Sequence, residues 1–95
     1  MKIKITENGN KTYDEIISKY SESKASAFAT ETLSIIDMIE KNNYIGSEHK
    51  KTSYRKFLVS QDVYLFYKID IKIIYIILFW DNKRNPLDLE IILSL

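Results

Sequence analysis

Ninety-five residues, 45% of them hydrophobic, suffice for one folded domain spanning residues 1–95 and exclude a disordered chain. Cysteine is absent, which rules out disulfides and thiolate metal centres. A formal net charge of +1 excludes a molecule-wide pull on nucleic acid or anionic lipid, so any such attraction must come from local patches.

Residues 2–6 alternate Lys, Ile, Lys, Ile, Thr, the period-two pattern of a half-buried strand, and lack the apolar centre of a secretory signal. Glu7-Asn8-Gly9-Asn10 is turn chemistry. Tyr13, Ile16, Ile17 and Tyr20 then share one helical face. A second helix is predicted from about Lys24 to Lys41, with Phe28, Leu33, Ile35, Ile36 and Ile39 on its apolar side and Asn42-Asn43 and Gly46 ending it. Ser47 to Lys51 reads as an exposed polar loop. Three strands follow, Tyr54 to Val59, Val63 to Ile69 and Lys72 to Trp80, joined by turns short enough to imply an antiparallel meander. The β-branched density of Ile71 to Ile77 predicts a strand covered on both faces. The run Ile73 to Trp80 is far shorter than the roughly 20 residues that cross a bilayer, so a soluble, cytoplasmic protein without membrane contacts is expected. Leu87 to Leu95 fits either a helix started by Asn85-Pro86 or an edge strand. Strand, helical hairpin and meander together make an α+β two-layer sandwich, with the sheet face away from the hairpin, or its rim, left for partners.

The chemistry-bearing residues cluster late in the chain. Lys50, Lys51, Arg55 and Lys56 place four permanent positive charges within eight residues beginning at His49. Lys83 and Arg84 join them if the meander brings both ends to one rim. Such a patch suits phosphate groups and the charge that develops when RNA is cleaved; the plainer alternative is a solvated loop. His49 is the one histidine and the natural candidate for proton transfer, against the plainer reading of an exposed loop residue. One histidine and no cysteine leave no zinc constellation, and two glycines leave no phosphate-cradling loop; neither metal nor cofactor is expected. Tyr64, Tyr67 and Tyr75 are candidates for stacking on bases or for core packing. Trp80, directly before a polar block, is a candidate interface residue.

The block Phe79-Trp80-Asp81-Asn82-Lys83-Arg84-Asn85-Pro86, together with Arg55-Lys56-Phe57-Leu58 and Tyr64-Leu65-Phe66-Tyr67-Lys68-Ile69, resembles the RelE/ParE superfamily of toxins from bacterial type II toxin–antitoxin systems. Tyr13-Asp14-Glu15-Ile16-Ile17 and the stretch Phe28 to Gly46 extend the resemblance more weakly. Two features depart from it: a first helix about one turn, roughly 5 Å, short, and an apolar segment from Leu87 to Leu95. The resemblance implies a growth-inhibiting toxin silenced by a cognate antitoxin that lays a strand or helix over it. RelE-like members cleave mRNA on the ribosome; ParE-like members block DNA gyrase. Where several nucleases carry an arginine, the strand with Tyr64 and Tyr67 has none, and neither histidine nor tyrosine follows Trp80. This favours a gyrase-type blocker. The alternatives are a metal-free, ribosome-dependent endoribonuclease and a non-toxic interaction domain that keeps the fold. For the nuclease, Lys51, Arg55 and Arg84 would stabilise phosphate, and Tyr64 or His49 would transfer a proton. For target binding, the candidates are Lys50, Lys51, Arg55, Lys56, Lys83, Arg84 and Trp80. All these expectations require Arg55 and Arg84 to converge on one outward-facing spot.

Overall fold

A computed structural model describes residues 1–94. It contains β1 (Lys2–Ile5), α1 (Glu7–Ile17), α2 (Glu22–Lys41), β2 (Ser47–Glu48), β3 (Tyr54–Ser60), β4 (Val63–Asp70), β5 (Ile73–Asp81) and α3 (Pro86–Ser94). One five-stranded sheet has the order β1-β5-β4-β3-β2. The meander is antiparallel, and β1 joins it parallel to β5.

The hairpin α1–α2 covers one face. Phe28, Thr32, Ile35 and Ile39 form a buried stripe at helical spacing on α2. They pack with Leu65, Tyr67, Ile74, Ile76 and Phe79 of the sheet. Ser21 caps α2 by accepting the Lys24 N–H at 3.3 Å.

Glu7 to Asn10 is not a turn but the first turn of α1. The Thr6 hydroxyl accepts the Gly9 N–H at 2.9 Å and lies 3.0 Å from the carbonyls of Ile76 and Ile77. Gly9 sits so close to β5 that a Cβ there would lie 2.7 Å from the Ile76 carbonyl oxygen. A residue type that signals a turn locally is therefore present because the helix starts against a strand.

The sheet face opposite the hairpin is not left open along its whole width. Leu87–Ser94 resolves as helix, part of α3, while Leu95 lies outside the described residues. Asn85 accepts the Leu87 N–H at 3.0 Å through its side chain and so caps α3, with Pro86 beginning the helix. Leu89 and Leu93 of α3 bury themselves against Phe66, Leu78 and Trp80. The strand β5 is covered on both faces only toward its end, by the hairpin at Ile76 and Phe79 and by α3 at Leu78 and Trp80, whereas Ile71, at the start of the run expected to be covered on both faces, is a turn residue 86% exposed. Among the described residues, no helix is long and apolar enough to cross a membrane.

Candidate nucleic-acid interface

Side chains of paired residues in an antiparallel sheet share a face. The registers therefore place three rungs on the face that carries α3: Tyr54–Lys68–Tyr75, Lys56–Phe66–Leu78 and Leu58–Tyr64–Trp80. The helix α3 sits on the Phe66, Leu78 and Trp80 side. The β3 side stays open, with Leu58 exposed and Tyr54, Lys56, Tyr64 and Lys68 half-buried.

Cations and aromatic rings interleave across this face. Lys56 Nζ lies 4.9 Å from the centre of the Tyr64 ring, Lys68 Nζ 5.9 Å from that of Tyr54, and the Arg84 guanidinium 4.5 Å from that of Trp80. An ammonium beside a flat ring offers a nucleotide both a phosphate partner and a stacking platform.

Arg55 is not part of this surface. Its neighbour Lys56 points into the face, so strand alternation turns Arg55 the other way, into the rung with Tyr67 and Ile76 on the hairpin side. There its Nη1 donates to the Gly46 carbonyl at 2.7 Å, its Nη2 lies 3.4 Å from Glu48 Oε1, and its guanidinium stacks 4.8 Å from the centre of the Tyr44 ring. Arg84 lies beyond the end of β5, next to Trp80. The expected convergence of Arg55 and Arg84 does not occur: Arg55 lies on the hairpin face beside Tyr44 and Gly46, whereas Arg84 lies at the rim past the end of β5, stacked on Trp80 and bordering a pocket with Glu15 and Tyr20 of the α1 side.

His49 is not an exposed loop residue either. Ser47–Glu48 forms a short strand on β3, and His49 is 5% exposed with its ring edge-on to Phe66 at 5.1 Å. His49 Nε2 lies 3.0 Å from Glu90 Oε1 of α3, while Nδ1 is buried without a partner. Because the Glu90 carboxylate can only accept, Nε2 carries the proton. Lys50 Nζ also reaches Glu90 Oε1 at 3.0 Å, from a backbone with φ of 53°. These contacts hold the Glu90 carboxyl below the ordinary carboxylate range, the Lys50 hydrogen bond contributing most and that of His49 next.

Lys51 is exposed in the adjoining loop, and Lys83 lies 3.6 Å from Asp62 at the Arg84 end. Trp80, expected at an interface, is 2% exposed beneath α3. Tyr67 is fully buried: its hydroxyl accepts the Gly46 N–H at 2.9 Å and donates to the Asn43 carbonyl at 2.8 Å, and burial raises its phenol pKa. It braces the core and offers no ring to a base. Lys68 and Tyr54 are the members of the face that sequence reasoning passed over, and the alternation of β3 and β4 is the signal that would have found them.

A helical hairpin on a sheet whose first strand runs parallel to β5 and whose others form an antiparallel meander is a YafQ-like fold. Among solved structures, the chain is similar to YafQ from E. coli, with a TM-score of 0.64 at 12% identity over 85% of this chain and 92% of that one. A histidine-to-glutamine variant of YafQ matches with a TM-score of 0.62 at 12% identity, and the E. coli DinJ–YafQ complex with 0.56 at 14%, both over the same shares. No protein-family model and no curated protein matches the sequence.

Proposed function

We propose that this chain is the toxin of a type II toxin–antitoxin pair and that it acts on mRNA at the ribosome through the lysine–tyrosine face. The observation that carries the reading is the open half of that face, where Lys56 lies over Tyr64 and Lys68 over Tyr54. Likeness to YafQ, a toxin of the RelE family, supports RNA as the target over gyrase, the target the missing strand arginine favours. The DinJ–YafQ complex supports an antitoxin partner. The apolar groove lined by Ile5, Tyr13, Ala29, Leu33 and Ile36 suits one face of such a partner's helix.

In a metal-free cleavage, the ribose 2′-oxygen attacks phosphorus and the 5′-oxygen leaves. Lys56 and Arg84 are the candidates to offset the charge gathering on the phosphoryl oxygens, with Lys51 a candidate to hold a neighbouring phosphate. The Tyr64 hydroxyl is the proton-transfer candidate on the open surface, its ring 4.9 Å from Lys56 Nζ. His49, engaged by Glu90, is not available in this arrangement.

Expression in a susceptible bacterium tests the reading. Growth arrest with mRNA cut on ribosomes is expected, reversed by co-expression of the adjacent small reading frame and weakened at least tenfold in Lys56→Ala and Tyr64→Ala. DNA damage with stalled gyrase would instead support the blocker, and harmless expression the interaction domain.

A further inference from the structure

The helix α3 lies on the same face as the proposed RNA surface and hides two of its five aromatic rings, since Trp80 and Phe66 are buried beneath Leu89 and Leu93. Among the described residues, both of its side-chain polar contacts to the rest of the protein pass through Glu90, to His49 Nε2 and to Lys50 Nζ, each at 3.0 Å. No strand pairing must break for it to lift; only apolar contacts and this cluster hold it.

The seated arrangement carries two local penalties. A buried imidazole nitrogen, Nδ1 of His49, goes without a partner. Lys50, whose ammonium grips Glu90, holds a left-handed backbone that non-glycine residues seldom adopt. The outer side of α3 is apolar as well, with Leu87 69% and Ile91 60% exposed, so this helix is not adapted to one fixed interface with water beyond it.

We infer that α3 is a displaceable cover, clasped by His49 and Lys50 on Glu90, which closes the Phe66 and Trp80 side of the face and lifts to admit RNA. Seated, the Glu90 carboxylate also neutralises a cation that would otherwise face phosphate. Lifted, the cover returns Trp80 to the surface beside Arg84, completes the stacking platform begun by Tyr64, and releases His49. That RNA is the entering ligand rests on the function proposed above; that the cover moves does not.

Trp80 is the only tryptophan and the chain has no cysteine, which makes both halves testable. Acrylamide is uncharged, so its quenching of Trp80 reports opening and not altered attraction for RNA. Glu90→Gln should shift the opening equilibrium by about three- to tenfold, the weight of one partly exposed ionic contact, and quenching should rise accordingly while the far-ultraviolet spectrum stays native. The Lys50→Cys/Glu90→Cys variant, bridged by a short bis-methanethiosulfonate reagent that forms two reducible disulfides as its sulfinate groups leave, should keep Trp80 shielded and bind a single-stranded oligoribonucleotide at least tenfold more weakly than after reduction. Trp80 equally shielded in Glu90→Gln and wild type would overturn the cover, as would RNA binding that is measurable and equally tight in bridged and reduced protein. If Trp80 opens on reduction and neither form binds RNA, the cover stands and the RNA reading fails.

Discussion

Arg55 and Lys56 are adjacent, alike in charge and opposite in role. Arg55 is 20% exposed at its side chain and ties the segment after α2 to the sheet through the carbonyl of Gly46. The same glycine donates to Tyr67, and a Cβ on it would lie 2.8 Å from that ring and from the Lys56 carbonyl oxygen. Removing the guanidinium therefore strips a charged donor from a tightly packed junction. Arg55→Ala should destabilise the protein by about 1–3 kcal/mol in urea unfolding and leave oligoribonucleotide affinity unchanged at equal folded concentration. Lys56→Ala should do the reverse, weakening RNA binding and flattening its dependence on salt, since one phosphate partner is gone. Equal loss of RNA binding in both variants would return Arg55 to the working surface.

At the scale of elements, the junction of α1 with β5 decides the architecture of the sheet's first edge. The strand β1 pairs with β5 only as far as Ile76, so the next backbone groups of β5 need other partners. Thr6 reaches the carbonyls of Ile76 and Ile77, and the Thr12 hydroxyl accepts the Phe79 N–H at 2.9 Å while lying 2.7 Å from the Asn8 carbonyl. Thr12→Val keeps the shape and removes the acceptor, so a buried amide loses its partner. The expected loss is about 1–3 kcal/mol, with hydrogen exchange at the Phe79 amide accelerated beyond that of its neighbours on β5. None of this is visible in the Glu7-Asn8-Gly9-Asn10 string, whose residue types favour a turn until a strand is placed against them. The long α2 stripe and the three strands are legible because their periods are strong and their turns short. The two residues of β2 are a strand only through pairing with β3. The ambiguity of residues 87–95 has a physical source: α3 is apolar toward the sheet and toward solvent, so it shows no clear helical period.

For the whole molecule, the distribution of charge between the two sheet faces was within reach of the sequence, and its coupling to α3 was not. Counting cations along the chain suggests one patch, whereas alternation alone already forbids Arg55 and Lys56 from pointing the same way. The burial of His49 depends on a carboxylate 41 positions away, a contact without local signature. That carboxylate ties α3 to the rest of the molecule, and its titration gives the coupling a measurable sign. Glu90 has a folded pKa depressed below its ordinary value of 4.5, chiefly by Lys50 and then by His49. Its ionised form is thus favoured by folding, and the resulting stability is fully present above the unfolded pKa and lost as pH falls through the folded one. Wild type should accordingly unfold at a higher temperature than Glu90→Gln at pH 7. That difference should shrink once the pH drops below the ordinary value of 4.5 and be lost as the pH falls through the lower folded pKa, where the carboxyl becomes neutral in folded and unfolded chains alike. Comparing the two proteins at each pH cancels every other carboxylate common to both. A gap that persists undiminished in acid would mean that Glu90 holds α3 by packing, and that the contacts with His49 and Lys50 do not hold the helix down.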